Sequence, residues 1–259
     1  MFLCDFHVHI YDCFVPEDVF DAAARNFLST ARKLRLEPSA CFLFLTESGE
    51  YDWFGRLASG DAGLVSWQVN TTGEADSLVL SGEQIELVVV AGRQIVTSES
   101  IEVLSLCSAT RVRDGMSLAE TVCQVNRTGG IAVLPWGVGK WLGRRGRIIR
   151  EFLLQSPERV VLGDNGGRPV MSPEPAMFRL ARRLAIPVLP GSDALPIAGE
   201  EKRTAAYCGL VSGQGGSLSA SWFRSALPVM QRVRPVGRRV SPGAFFRNQF
   251  RLRRSRGGA

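Results

Sequence analysis

The sequence predicts an α/β fold, namely a distorted (β/α)7-type barrel followed by a basic C-terminal extension. Short apolar segments alternate with helix-like segments along most of the chain, an order that is typical of parallel strands joined by helical crossovers. About seven such strands follow one another, which favours a closed or nearly closed barrel over an open doubly wound sheet. The 259 residues, of which 45% are hydrophobic, suffice for one domain of this size.

The first half of the chain begins with a strand at residues 1–10, a helix at 16–34 and a second strand at 40–48. The helix opens with a proline and two acidic residues, which suit the first turn because they complement the helix dipole. Region 63–106 contains several β-rich segments separated by Gly, Ser and Glu turns. That pattern predicts strands paired through hairpins.

The second half continues the alternation of helices and strands. Residues 117–130 predict a helix that ends at a glycine C-cap, and a strand follows at 131–136. The next predicted elements are a helix, a strand with a turn, a helix, a strand with a loop and a final strand, at residues 145–156, 159–167, 173–185, 186–194 and 205–211.

Positive charge is concentrated at the C-terminus. The net charge is +6, yet ten arginines and no acidic residue lie between Arg224 and Ala259. The preceding residues therefore carry a net charge of about −4. We expect a barrel over residues 1–212 and an Arg-rich extension over 213–259 that is extended or disordered. Such an arm suits contact with nucleic acid, an anionic membrane or an acidic protein. The alternative is a solvated tail, or one that wraps over the acidic body of the same chain.

The sequence contains few signals that indicate a cellular location. The chain lacks a run of about 18 apolar residues, which a transmembrane helix needs, and its first residues lack the pattern of a secretory signal. The six cysteines are scattered without a Cys-x-x-Cys pair, which favours reduced thiols. We therefore expect a cytoplasmic protein.

Both histidines of the chain lie in the segment LCDFHVHIYD, residues 3–12. Side chains two positions apart on a strand share a face, so Asp5, His7 and His9 align. Barrel active sites form at the C-terminal ends of strands, where this pair would lie. Imidazole is a strong ligand for zinc, manganese or iron. We expect the pair to bind a divalent ion, with Asp5 orienting one ring and Asp12 as an oxygen ligand, and a packing role is the alternative.

Six segments, in this order, resemble the PHP (polymerase and histidinol phosphatase) superfamily, whose distorted seven-stranded β/α barrel opens with Asp-x-His-x-His. DFHVH and the GSDA within the last segment are the most specific matches, and the resemblance covers residues 1–212. The segments are DFHVH at 5–9, LTES at 45–48, VAGRQIVTSESIEVLSL at 90–106, GGIAVLPW at 129–136, VLGDNGG at 161–167 and VLPGSDALP at 188–196.

The resemblance implies a metal site made by His7, His9 and Asp193, with Glu102 as a substitute ligand. Several ligand positions of the family differ in this chain. Gln94 replaces a glutamate, Glu102 and Leu195 replace histidines, and Pro135 and Trp136 remain where the family has His-Pro. Three clustered ions would need more anionic oxygens than this chain supplies, so we expect one divalent ion.

The resulting hypothesis is a metal-dependent hydrolase, PHP-like and most suited to phosphoesters. Asp193 or Asp164 would bind the metal or act as a base, since a bound ion lowers the pKa of its water. Lys140 and Arg144 would neutralise phosphate oxygens, and Asn165 would lie beside the substrate. The alternatives are a catalytically inactive barrel that binds a ligand or partner, and an amidohydrolase-like barrel.

Overall fold

The computed structural model describes all residues except 39, 156–157, 214–218, 228–229, 231–232 and 257–259. The described residues form an α/β structure with two mixed sheets, one of seven strands and one of five. In the larger sheet, β1–β2 and β2–β5 are parallel and the other neighbours are antiparallel. Its spatial order is β12 (Arg234–Gly237), β11 (Tyr207–Val211), β1 (Phe2–Val8), β2 (Ala40–Leu45), β5 (Glu86–Val90), β4 (Ser77–Ser81) and β3 (Gln68–Thr71).

The smaller sheet combines a parallel half with an antiparallel half. Its spatial order is β10 (Val188–Gly191), β9 (Val161–Asn165), β8 (Ile131–Pro135), β7 (Glu102–Leu106) and β6 (Gly92–Val96). β8, β9 and β10 are parallel, whereas β6, β7 and β8 are antiparallel neighbours. The prediction of hairpin-paired strands over 63–106 is confirmed by β3–β4–β5 and β6–β7.

Helices pack against both sheets. The first helix starts at a proline, as predicted, and ends at Arg35 in the left-handed conformation. A single-turn 3₁₀ helix lies at Glu200–Arg203. The α-helices are α1 (Pro16–Leu34), α2 (Trp53–Ser59), α3 (Leu118–Arg127), α4 (Gly143–Gln155), α5 (Ala176–Arg183), α6 (Ala220–Ala226) and α7 (Pro242–Arg256). None of the helices in the described ranges is both long and apolar enough to traverse a lipid bilayer.

The hydrophobic core has three layers, which follow from the alternation of side chains along the strands. Phe2, Cys4 and Phe6 of β1 belong to a cluster between the two sheets, whereas Leu3 joins a cluster between the larger sheet and α1. A third cluster lies between the smaller sheet and α3, α4 and α5. Phe223 of α6 packs in the central layer. Its ring centre lies 4.8 Å from that of Phe42 and 4.9 Å from that of Phe44, both in β2.

The predicted (β/α)7-type barrel is wrong, because the two sheets do not close on each other. β1 is paired on one side with β2 and on the other with β11, which runs antiparallel along residues 2–4. β11 thus occupies the edge that a closing strand would need. The end strand β10 reaches only the last part of β1, where the Asp193 N–H donates to the His7 carbonyl at 2.9 Å. At the other end, β6 is joined to the segment that follows β2 through an isolated bridge between Arg93 and Glu47.

The C-terminal region differs from the extended or disordered arm predicted for 213–259. β12 extends the larger sheet beside β11, and residues 242–256 form α7. Ser241 caps this helix by accepting from the Ala244 N–H at 3.3 Å, and Pro242 suits its first position. Part of the predicted arm, including 214–218 and 257–259, lies outside the described residues.

Candidate metal centre

The two histidines lie at the end of β1 and are almost completely buried. Each is 4% exposed, and their Nε2 atoms are 3.0 Å apart. The strand is irregular between Asp5 and Val8, where its register with β2 shifts. The Nε2 atoms of the two imidazoles nevertheless converge, as the His-x-His spacing predicts.

Asp193 joins this pair from the loop after β10. Its Oδ1 atom is 3.5 Å from Nε2 of His7 and 3.6 Å from Nε2 of His9. Its backbone adopts the left-handed region with φ of 46°, which is uncommon for a residue with a side chain. The bond from its N–H to the His7 carbonyl holds this conformation. One donor atom from each of the three residues lies within 4.8 Å of the others.

Glycine at position 191 permits the close approach of β10 to β1. A Cβ atom there would lie 2.5 Å from both the backbone nitrogen and the Cβ of His7. Backbone cannot yield to such a contact without a shift of the whole strand. The convergence of Asp193 on the histidines therefore depends on Gly191.

Gly191→Ala is expected to lower the free energy of unfolding by about 1–3 kcal/mol, since an added methyl group overpacks the contact between β10 and His7. Urea denaturation measures this change. Gly243→Ala in α7 is the control, because its Cβ would meet nothing within 4 Å. An unchanged stability for Gly191→Ala would contradict the close approach of β10 to β1.

Asp5 anchors the backbone around the site, whereas the sequence predicted that it orients an imidazole. Its carboxylate accepts the backbone N–H groups of His7, Ser192 and Ala205 at 3.2, 2.7 and 2.8 Å. Burial raises the pKa of Asp5 to about 6, although these hydrogen bonds favour the charged form. The residue thus ties β1 to the loops that follow β10 and precede β11.

Burial keeps both imidazoles neutral at physiological pH. It lowers the pKa of His7 to about 4, against the charge of Glu102, which raises it. It lowers the pKa of His9 to about 3, and His7 adds to this effect. Burial raises the pKa of Asp193, while His9 and Lys140 oppose the rise. Neutral imidazole is the form that binds metal ions.

Two further predicted ligands have other partners. Glu102, at the start of β7, accepts a hydrogen bond from Lys140 and forms an ion pair with it. Asp12 is exposed and accepts from the Tyr51 hydroxyl at 3.3 Å. Neither carboxylate belongs to the cluster of three donor atoms found among the described residues. Gln94, which replaces a family glutamate, interacts with the His7 ring.

Asn165 orients Asp193, a role that the sequence did not reveal. Its Nδ2 group donates to Asp193 Oδ2 at 2.7 Å and to the Trp136 carbonyl at 2.8 Å. A carboxylate held in this way presents its other oxygen, Oδ1, to the histidines. Hydrogen bonds of this kind set the orientation of metal-binding carboxylates.

Asp164, predicted as a catalytic group, is part of a buried structural network instead. Arg168 donates to both of its oxygens at 2.7 Å, and the Tyr207 hydroxyl donates to Oδ2 at 2.7 Å. Its neighbour Asn165 faces the metal ligands, because adjacent side chains on a strand point in opposite directions. With both oxygens engaged, Asp164 is poorly placed to accept a proton from a substrate.

A cavity of about 220 Å³ adjoins the three-residue cluster. Asp193, Asn165 and Lys140 line one side of it, as does Arg203. Two of the three residues predicted to bind substrate, Lys140 and Asn165, thus face one cavity. The third, Arg144, is exposed at the start of α4 and lies outside the described lining.

Comparison with known proteins shows similarity in fold. No protein-family model and no curated protein matches the sequence. PsfC from Pseudomonas syringae PB-5123 superposes with a TM-score of 0.52 and 15% identity, over 94% of this chain and 93% of PsfC. The lesion-specific endonuclease PfuEndoQ from Pyrococcus furiosus gives a TM-score of 0.51 and 10% identity, over 89% of this chain and 57% of that protein.

A third solved structure, Endonuclease Q in complex with a 27-mer duplex substrate that carries an abasic lesion, has a TM-score of 0.49 and 11% identity. The alignment covers 87% of this chain and 56% of that protein. The chain thus spans little more than half the length of the two endonucleases. At these identities the similarity to PsfC and PfuEndoQ concerns the fold, and function has to be argued from the site.

Proposed function

We propose that this protein is a metal-dependent hydrolase of phosphoesters that uses one divalent ion bound by His7, His9 and Asp193. The observation that carries the proposal is the convergence of these three donors beside a cavity. Asp193 is far from the two histidines in the sequence, yet the fold brings the three together. Three protein ligands with an adjacent open space are typical of a catalytic metal site, in which water occupies the remaining position.

The donor set fits zinc, manganese or iron. Two neutral imidazoles and one carboxylate are ligands that each of these ions accepts. The number of anionic oxygens suits one ion rather than three, because the nearby carboxylate of Glu102 is paired with Lys140. A bound divalent ion would polarise the phosphoryl group and lower the pKa of its water.

The protein groups around the ion have separate tasks in this proposal. Asn165 holds Asp193 in position, and Asp193, rather than Asp164, is the acidic group that faces the substrate. Lys140 and Arg203 line the cavity and offer positive charge to phosphate oxygens. Glu102 fixes the Lys140 ammonium through their ion pair.

Two comparisons support phosphoesters as the substrate class. Six sequence segments resemble the PHP superfamily, whose members include phosphatases. PfuEndoQ, which has a similar fold, is an endonuclease, and endonucleases act on phosphodiester bonds. We infer from these two likenesses that the site is a reduced form of a PHP-like centre.

The proposal is tested with protein stripped of metal by a chelator and reloaded with Zn²⁺, Mn²⁺ or Fe²⁺. Release of phosphate or alcohol from generic phosphomonoesters and phosphodiesters is then measured. We expect activity with at least one reloaded ion and baseline rates for the stripped protein. Equal rates in both states would refute the hydrolase and favour the alternative, a catalytically inactive scaffold that binds a ligand or partner.

For the Arg-rich extension, we propose contact with nucleic acid through the outer face of α7. Phe246 and Phe250 are 70% and 61% exposed, and the guanidinium of Arg254 lies 5.6 Å from the Phe250 ring centre. Their i, i+4 spacing places the three in one stripe. Exposed aromatic rings that stack on bases, together with arginines that bind phosphates, are typical of single-strand binding surfaces.

Binding of a single-stranded oligonucleotide over a salt series tests this contact. Phe246→Ala/Phe250→Ala is expected to weaken binding several-fold, whereas Val65→Ala, at a site 92% exposed elsewhere, should leave it unchanged. Binding to anionic vesicles but not to the oligonucleotide would assign the stripe to a membrane surface and refute nucleic-acid contact.

A further inference from the structure

The C-terminal helix forms one wall of the cavity beside the metal ligands. Phe245, Asn248, Gln249 and Leu252 of α7 line it, as does Asp193. Their spacing of three, four and seven residues places them on one helix face. The stripe of Phe246, Phe250 and Arg254 occupies a different face. The helix therefore has an inner surface toward the candidate site as well as an outer one.

Specific contacts hold this wall in place. The Asn248 side chain, 3% exposed, donates to Glu200 Oε1 at 3.0 Å. Arg251 donates to the Ala198 carbonyl at 3.2 Å. Just before the helix, the Val240 N–H donates to the Gly166 carbonyl at 2.8 Å, next to Asn165. These bonds tie α7 to the loop that carries Asp193 and to the turn that follows Asn165.

The volume of the cavity limits the size of the ligand that it can hold. About 220 Å³ is below the roughly 300–1,000 Å³ of sites for drug-sized ligands and equals about seven water molecules of liquid volume. Phe245 and Leu252 are apolar and set the limit on the α7 side. A bulky aromatic ester would collide with them.

We propose that α7 determines substrate size, so that the site accepts phosphoesters with a small organic group and excludes bulky ones. The inference rests on the proposed hydrolase. It assigns Phe245 and Leu252 as specificity-determining residues and Asn248 as a positioning residue of the wall.

The test compares glycerol 1-phosphate with 1-naphthyl phosphate on the metal-loaded full-length protein. Phe245→Ala/Leu252→Ala is expected to raise the kcat/KM ratio of naphthyl to glycerol ester by about fivefold or more. Gln249→Trp, which narrows the cavity, should lower kcat/KM for both esters. Arg253→Ala, an exposed position on α7, is the matched control and should leave both values unchanged. If the naphthyl-to-glycerol ratio of kcat/KM in Phe245→Ala/Leu252→Ala stays within twofold of the wild-type ratio, the proposal is wrong.

Calorimetric binding of the same two esters separates this inference from the hydrolase. Tighter binding of the naphthyl ester by Phe245→Ala/Leu252→Ala, without turnover by any variant, would support the α7 wall and refute the hydrolase. Failure of the wild type to bind either ester would refute the proposal that α7 determines substrate size. The opposite effects expected of the enlarging and narrowing variants distinguish a change of cavity size from misfolding, which would weaken both proteins alike.

Discussion

Asp164→Ala is expected to lower the free energy of unfolding by about 3–5 kcal/mol. Asp164 and Arg168 are both buried, and the carboxylate accepts two hydrogen bonds from the guanidinium and one from Tyr207. Removing the carboxylate leaves a buried positive charge without its partner. The loss of stability exceeds the net contribution of the intact ion pair. The reason is that the guanidinium of Arg168 stays buried, away from water, without a counter-charge.

Urea denaturation at neutral pH measures this effect. Glu174→Ala provides the control, since it breaks the exposed ion pair with Arg182 and should have a much smaller effect. Asp164→Ala/Arg168→Met removes both charges and should recover part of the lost stability. If Asp164→Ala instead retains full stability but loses catalysis, the residue is catalytic and its structural assignment is wrong.

The double variant His7→Ala/His9→Ala is expected to lose the bound ion and, with it, phosphoester hydrolysis by several orders of magnitude. Both imidazoles are neutral and buried, so the wild-type site is ready to bind a metal without releasing protons. Asp193 alone would retain one anionic ligand, too few for a stable site.

Elemental analysis after growth in media with varied metal supply checks this expectation. The wild type should carry about one ion per chain and the double variant none. Asp12→Ala serves as the control, because that carboxylate is exposed and bonds Tyr51. Equal metal content in wild type and double variant would remove the histidines as ligands.

Local patterns were sufficient for the order of strands β1 to β11 and of α1, α3, α4 and α5, and for the alignment of His7 with His9. Both depend on short-range geometry, namely the two-residue period of a strand and the alternation of apolar segments. The barrel was mispredicted because its closure depends on long-range pairing. β11 comes some 200 residues after β1, and nothing in its sequence shows that it would run antiparallel beside β1.

The sequence did not distinguish the surroundings of Asp164 from those of Asn165, for a related reason. Adjacent residues on a strand face opposite sides, and the sequence does not tell which side faces the site. The arginine four residues after Asp164 was a usable signal, since it pairs with that carboxylate. The Asp193 position followed from the resemblance of GSDA to a family motif, which carries long-range information that composition lacks.

The C-terminal helix was missed because ten arginines without acidic residues suggested disorder. The Ser241–Pro242 start and the spacing of Phe245, Asn248 and Leu252 indicate a helix with one inward face. Arginine is also a good helix former.

X-ray absorption of the zinc-loaded protein tests the central claim most directly, because it reports the atoms around the ion. Two imidazole nitrogens at about 2.0–2.1 Å and a carboxylate oxygen at about 2.0–2.2 Å are predicted, with one imidazole lost in His9→Ala and the oxygen shell reduced in Asp193→Ala. Sulfur ligands, or a spectrum that neither variant changes, would contradict a centre made by His7, His9 and Asp193.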